Sequence, residues 1–180
     1  MRLCLLMATA PNPYECDLDG RDPFEALADT AGRIRDAVAS WTAADFERSY
    51  APGKWSIRRV IIHLAQTELA LGARMRFALA EPDYVAQPFS QDAWLPLDEA
   101  LDAAAALDAY TVLRRMNLSL LRALPAGHLD REFSHPEYGM LTIRWVVSQM
   151  AGHDLHHFRQ IQTVPDPGEP RRTPKNPAAD

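Results

Sequence analysis

The chain has 180 residues, enough for one domain with a sizeable core, and 47% hydrophobic against 24% charged residues is the balance of a water-soluble globular protein. A net charge of −5, a pI near 5.7 and no basic patch argue against nucleic acid or an anionic membrane surface as partner. Two cysteines, Cys4 and Cys16, exclude a disulfide framework and a Cys-ligated zinc site, and a reduced cytoplasmic setting is the expectation.

Residues 1–21 contain Pro11, Pro13 and Gly20 without periodicity and read as a loose N-terminal arm. Their first ten residues resemble a signal peptide only faintly, being too short, and Met7 is an alternative start. Order begins at Asp22-Pro23-Phe24-Glu25, where an N-cap, a proline at the first helical position and a glutamate at N3 start a helix. Phe24, Leu27, Ala31, Ile34, Val38 and Trp41 form its apolar stripe, predicting a first long helix over residues 23–40.

Ser56 caps the second long helix, striped by Ile57, Val60, Ile61, Leu64, Leu71, Met75 and Leu79, which ends before Pro82. His63 stands in its second turn. Residues 81–96 form a long crossover with three prolines and the aromatics Tyr84, Phe89 and Trp94, and a loop of this kind often covers a site. The third helix is expected over residues 97–124, burying Leu101, Ala105, Val112, Met116, Leu120 and Leu124. Residues 126–141 read as a polar connection, and Thr142 caps a fourth helix running to about Thr163, before Pro165. Residues 165–180 read as a disordered C-terminal tail. With no sustained period-2 segment, the expected fold is all-α: a four-helix bundle with long crossover connections, over residues 22–164. No stretch is long and apolar enough for a membrane span.

The last helix carries the densest chemistry, Gly152-His153-Asp154-Leu155-His156-His157. His153 and His157, four apart, share a helix face and can aim at one centre. His63 is the best candidate for a third nitrogen, and its level matches theirs if the second and fourth helices run antiparallel. His156 sits about 100° round the helix from His157 and suits an outer or surface role, with ligation through the 153/156 spacing as the alternative. Asp154 follows the first histidine as Glu does in His-Glu-x-x-His metalloproteases, a weak similarity that leaves a supporting or surface carboxylate as the plainer reading. Trp94 could wall a pocket, His135 and Glu137 suit a turn near its mouth, and Trp55, Trp145, Met75, Met116 and Met150 suit the core. Three neutral imidazoles bind Zn²⁺ or Ni²⁺ foremost, with Fe²⁺ and Mn²⁺ as alternatives, and leave a position open for water or substrate.

Pro52-Gly53-Lys54-Trp55-Ser56-Ile57-Arg58, then His63-Leu64-Ala65, then His135 to Thr142, then Gly152 to His157, occur in an order and spacing that resembles the DinB-like superfamily with its YfiT-type metal-dependent hydrolases. The resemblance covers residues 22–164. It implies a four-helix bundle with a metal-binding triad that carries over to His63, His153 and His157. It implies a divalent-metal enzyme acting on a small molecule, by hydrolysis or by S-transfer with a low-molecular-weight thiol cosubstrate, and a homodimer. A bundle that holds metal or ligand without turnover is the alternative, and a metal-free structural bundle a third.

Overall fold

The structure is a computed structural model and describes residues 10–165. The expectations for a start at Met7 and for a disordered tail fall on residues 1–9 and 166–180, outside the described residues.

Four long helices make the body: α2 (Pro23–Ala37), α4 (Ile57–Ala80), α6 (Ala103–Arg122) and α7 (Ile143–Gln162). Three short ones accompany them: α1 (Glu15–Leu18), α3 (Ala43–Phe46) and α5 (Gln91–Trp94). Side-chain oxygens at each long helix's start accept the otherwise orphaned backbone N–H groups: Asp22 takes that of Glu25, Ser56 that of Arg59, Asp102 that of Ala105 and Thr142 that of Trp145.

The core divides into two clusters, and their membership fixes the helix directions. One joins the N-terminal half of α4 (Ile57 to Leu64) to the C-terminal part of α7 (Phe158, Ile161), to Ala31 and Ile34 of α2, and to the first half of α6 (Ala106, Leu107, Tyr110). The other joins the second half of α4 (Leu71, Met75, Ala78) to the start of α7 (Val146, Val147, Met150), to Ala26 and Leu27 at the start of α2, and to Leu118 and Leu121 at the end of α6. Hence α4 and α6 run parallel, and α2 and α7 run opposite to both. A parallel neighbour cannot be reached by a tight turn. Residues 81–102 are the long crossover this requires. Gly72 lets α4 and α6 approach closely, since any side chain there would press on the Asn117 amide.

Several expectations are corrected. The third helix starts at Ala103 rather than residue 97: Asp102 supplies the cap, and Leu95–Asp98 forms a separate 3-10 turn. Its buried face is also different. Ala103, Ala106, Leu107, Tyr110, Arg114, Asn117, Leu118 and Leu121 face inward, while Val112 and Met116 are 53% and 50% exposed and Ala105 is exposed too. The inward face carries three polar residues that pair inside the core, so counting apolar positions selects the wrong side. The first helix stops at Ala37 instead of Ser40.

Residues 132–142, expected as irregular, hold a two-stranded antiparallel hairpin, β1 (Glu132–His135) with β2 (Gly139–Thr142), closed by Gly139 at φ 71. The crossover is knitted to it: Ala86 N–H donates to the Ser134 carbonyl at 2.8 Å and Ser134 N–H to the Tyr84 carbonyl at 3.0 Å.

From Ala10 to Arg21 the chain is an ordered part of the body rather than a loose arm. Leu18 is core, the Trp145 indole N–H donates to the Ala10 carbonyl at 2.7 Å, and Arg159 is bonded to Asp17. Gly152 makes this docking feasible, because any Cβ there would overlap the Tyr14 backbone. Among the described residues no helix is long and apolar enough to cross a membrane.

Candidate metal centre

His63, His153 and His157 come together as the sequence predicts, because α4 and α7 are antiparallel and their levels coincide. His63 Nε2 lies 2.9 Å from His153 Nε2, which lies 3.0 Å from His157 Nε2. Nitrogens held about 2.0–2.1 Å from one ion are necessarily roughly 3 Å apart, so this donor set fits a single divalent metal. All three rings are buried, and each is held edge-on to the next, with centroids 4.4–5.1 Å apart.

Burial keeps the three imidazoles neutral. It pushes His63 down to about 3, with the nearby His157 adding to the effect. It pushes His157 down to about 4, against a small upward pull from its bond to Gln160, and His153 well below its usual value. Neutral imidazole is the metal-binding form, so the site is poised for a cation.

An outer chain fixes the orientation of His157. Its Nδ1–H donates to Gln160 Oε1 at 2.7 Å, and Gln160 Nε2 donates to His156 Nε2 at 3.0 Å. His156 Nδ1 faces Asp17 Oδ2 at 3.5 Å. The Gln160 bond holds the proton of His157 on Nδ1 and leaves the Nε2 lone pair pointing to the centre. His156 is therefore an outer partner, not a ligand. Gln160 and Asp17 were missed by sequence reasoning; the i+3 step from His157 to Gln160 is a signal that could have found the first. A Gln160→Leu variant should bind metal about 10–100-fold more weakly, as chelator competition would measure. Unchanged affinity would show that the chain plays no part.

The metal-free protein should lose stability as pH falls from about 6.5. The unfolded chain takes up three protons near that value, whereas the folded rings refuse them until about 4 or lower. Asp154 opposes this: burial raises its folded value to about 6, so below pH 6 the native state binds a proton the unfolded chain lacks. These four groups differ by a net of two protons, a slope of about 2–3 kcal/mol per pH unit between roughly pH 6 and 4, and His135, also pushed down by burial, adds in the same direction. Urea midpoints across that range measure it, and a flat profile would contradict neutral native histidines.

His63 and His153 stand in the wall of a cavity of about 290 Å³ that Thr67, Leu71, Arg74, Phe89, Gln149, Tyr14 and Tyr138 help to line. Phe89 stacks parallel to His63 with centroids 6.1 Å apart. The crossover thus covers the site as expected, through Phe89 and Gln91. Trp94 itself does not line the cavity. It packs edge-on behind Phe89 at 5.0 Å, and its carbonyl accepts a bond from Gln66. Trp55 packs against His63 at 5.4 Å. His135 and Glu137 both line the cavity, and the Glu137 N–H donates to His135 Nδ1 at 3.2 Å, a bond that braces the hairpin turn.

Asp154 is neither beside the cavity nor on the surface. It accepts from the Tyr110 hydroxyl at 2.7 Å and pairs with Arg114 at 2.6 Å. Arg114 also pairs with Glu68 at 2.5 Å and donates to the Leu27 carbonyl, and Asn117 donates to Glu68. One residue on from His153 is 100° round the helix, so Asp154 faces α6 while His153 faces the centre.

The sequence model of the DinB superfamily matches residues 26–161, and the chain belongs to that superfamily. A provisionally named metal-dependent hydrolase of Oceanobacillus iheyensis is 29% identical over 139 residues, 77% of this chain and 81% of that protein. One from Bacillus cereus is 23% identical over 142 residues, covering 78% and 82%. Among solved structures, YfiT from Bacillus subtilis, described as a probable metal-dependent hydrolase with an unusual four-helix bundle topology, is 25% identical with a TM-score of 0.73, over 79% of this chain and 83% of that one. The mycothiol-dependent maleylpyruvate isomerase shares the fold at 14% identity and a TM-score of 0.56, over 77% and 56% of the two chains. Family, relatives and the three-histidine cluster together fit a metal-dependent DinB-like enzyme.

Proposed function

We propose that this protein is a divalent-metal-dependent hydrolase acting on a small molecule in the cavity beside His63 and His153. The observation that carries the reading is the convergence of three buried, neutral Nε2 atoms at the wall of a cavity large enough for substrate. Zn²⁺ or Ni²⁺ suits this ligand set first, Fe²⁺ or Mn²⁺ next. With three protein ligands a position stays open, and a divalent ion held so can lower the pKa of water to about 7 or hold a thiol as thiolate. The chain's own residues then bind and shelter: Phe89 closes one side of the histidines to solvent, and the hairpin turn brings His135 and Glu137 to the cavity.

Transfer to a low-molecular-weight thiol is the second reading. It is favoured by the cavity volume, which leaves room for a second reactant beside the histidines. Metal content by mass spectrometry on untagged protein tests the common core, with about one ion per chain expected and none refuting it. Hydrolysis of small esters and amides by the loaded protein, with and without added thiol, separates the two readings. Bound metal with no turnover in either series would make the protein a binding module.

A homodimer is also part of the proposal. Leu69, Ala73 and Phe77 repeat every four residues on α4, and the Gly72–Asn117 contact sets them beside Val112 and Met116 of α6. A light-scattering mass of one chain at micromolar concentration would refute it.

A further inference from the structure

The cavity has a second pole, away from the histidines. His63, Thr67, Leu71 and Arg74 follow one another on α4 at steps of four, four and three, so one helix face lines the cavity from the metal centre outward. Gln149 and His153 do the same on α7. Eleven residues of helix separate His63 from Arg74, about 16 Å along the axis. The arginine side chain leans back toward the helix N-terminus, which brings the guanidinium to roughly 10 Å from the histidines.

Arg74 is only 6% exposed, yet its one hydrogen bond among the described residues is to the Gln87 carbonyl, at 2.8 Å. No carboxylate among those residues pairs with it. Glu137 lines the same cavity and its charge acts on the guanidinium from a distance, but it is exposed on the hairpin turn and forms no ion pair with it. The contrast with Arg114 is informative. That guanidinium is more deeply buried, has a structural task, and is flanked by two carboxylates. A buried cation without an anion is costly, and such a group on a cavity wall is explained by an anion that arrives with the ligand. One further group points the same way. Thr67 Oγ1 belongs to a cavity-lining residue, is buried without a hydrogen-bond partner and can donate to an anion, whereas the equally orphaned Gln149 Oε1 is an acceptor and calls for a donor on the ligand. His135, between the two poles, is kept neutral by burial and by the charge of Arg74, so it does not add a competing cation.

We propose that Arg74 is the anion-recognition residue of this cavity, seating a carboxylate or phosphate of a small organic molecule whose far end reaches His63 and His153, with the Thr67 hydroxyl as a supporting donor. The substrate class is then an organic anion whose reacting group lies about two helical turns, roughly 10 Å, from its charge. The placement of the reacting group rests on the hydrolase reading; the anion seat does not.

The test is calorimetric binding of 4-phenylbutanoate, its neutral isostere 4-phenylbutanamide and phenyl phosphate, to the protein as purified and after metal removal. The expected result is a preference of about tenfold or more for an anion over the amide, because a charge-assisted bond to a buried guanidinium is lost with the charge. Comparing the carboxylate with the phosphate tells which anion the seat takes. In Arg74→Met the preference should vanish, and in Arg74→Lys part of it should return. Equal binding of all three probes by the parent protein, or no binding of either anion, would overturn the proposal, as would a preference that survives Arg74→Met. Should Arg74→Met fail to fold by circular dichroism, the parent comparison still decides, supported by a reduced preference in Thr67→Val. A preference kept after metal removal would show that the anion is held by Arg74 and not by the ion, and an anion preference in protein that takes up no divalent metal even on reconstitution would keep this proposal and fail the hydrolase reading alone.

Discussion

A His153→Ala variant is expected to lose its metal and, with it, all metal-dependent turnover. Its Nε2 is the middle of the three, within 2.9 and 3.0 Å of the other two, so its removal leaves His63 and His157 with no shared neighbour. The loss of affinity should exceed the roughly 10–100-fold attached to outer partners such as Gln160. Stability supplies an independent readout. Metal at a thousandfold excess over its dissociation constant stabilises by about 4 kcal/mol, which for a chain of this size raises the melting temperature by roughly 10 °C. The parent should show that rise on adding Zn²⁺ or Ni²⁺, and the variant should not. Activity retained in a variant without metal would sink the proposed function, because nothing else in the cavity is arranged to replace the ion.

The second large effect lies away from the chemistry. Arg114→Met should destabilise the fold by about 3–5 kcal/mol, the cost of leaving buried charges uncompensated, and lower the melting temperature by about 10 °C or more. The side chains of Glu68 and Asp154 are 1% and 2% exposed, and both rely on this guanidinium. Orphaned, a buried carboxylate escapes by taking a proton, so the variant's deficit relative to the parent should shrink as pH is lowered from 7 toward 5. Chemical denaturation at both pH values checks magnitude and sign together. A loss below about 1 kcal/mol would mean the network contributes little beyond its geometry.

These two sites were not equally legible. Ser56 and Thr142 announce α4 and α7, whose ends fall where cap and proline place them, and a pair of histidines four apart on a capped helix needs no tertiary information. The third ligand needed only the relative direction of two helices. The network around Arg114 was hidden for the opposite reason. Tyr110, Arg114 and Asn117 occupy a helix face that polarity assigns to solvent, and what makes them buried is a set of partners on α4 and α7 that no local pattern displays. The same blindness turned Val112 and Met116 inward and let Asp154 pass for a companion of the metal. The hairpin escaped because four-residue strands are too short to show alternation, and β1 is bonded on its other side to the distant crossover through Ser134. Tyr14 is seated by Gly152, a contact that depends on a missing side chain rather than on any motif, and Asp17 by Arg159 far along the chain.

That contact has a kinetic consequence. Tyr14 rests edge-on against His153 at 5.1 Å and forms part of the cavity wall together with Pro13. Residues near a chain end open at far lower free energy than the middle of a packed bundle. Loosening of the 10–21 segment would therefore open the cavity wall beside His153 without parting the four long helices. Entry and exit can then be tuned at Tyr14, which belongs to neither hydrophobic cluster of the bundle.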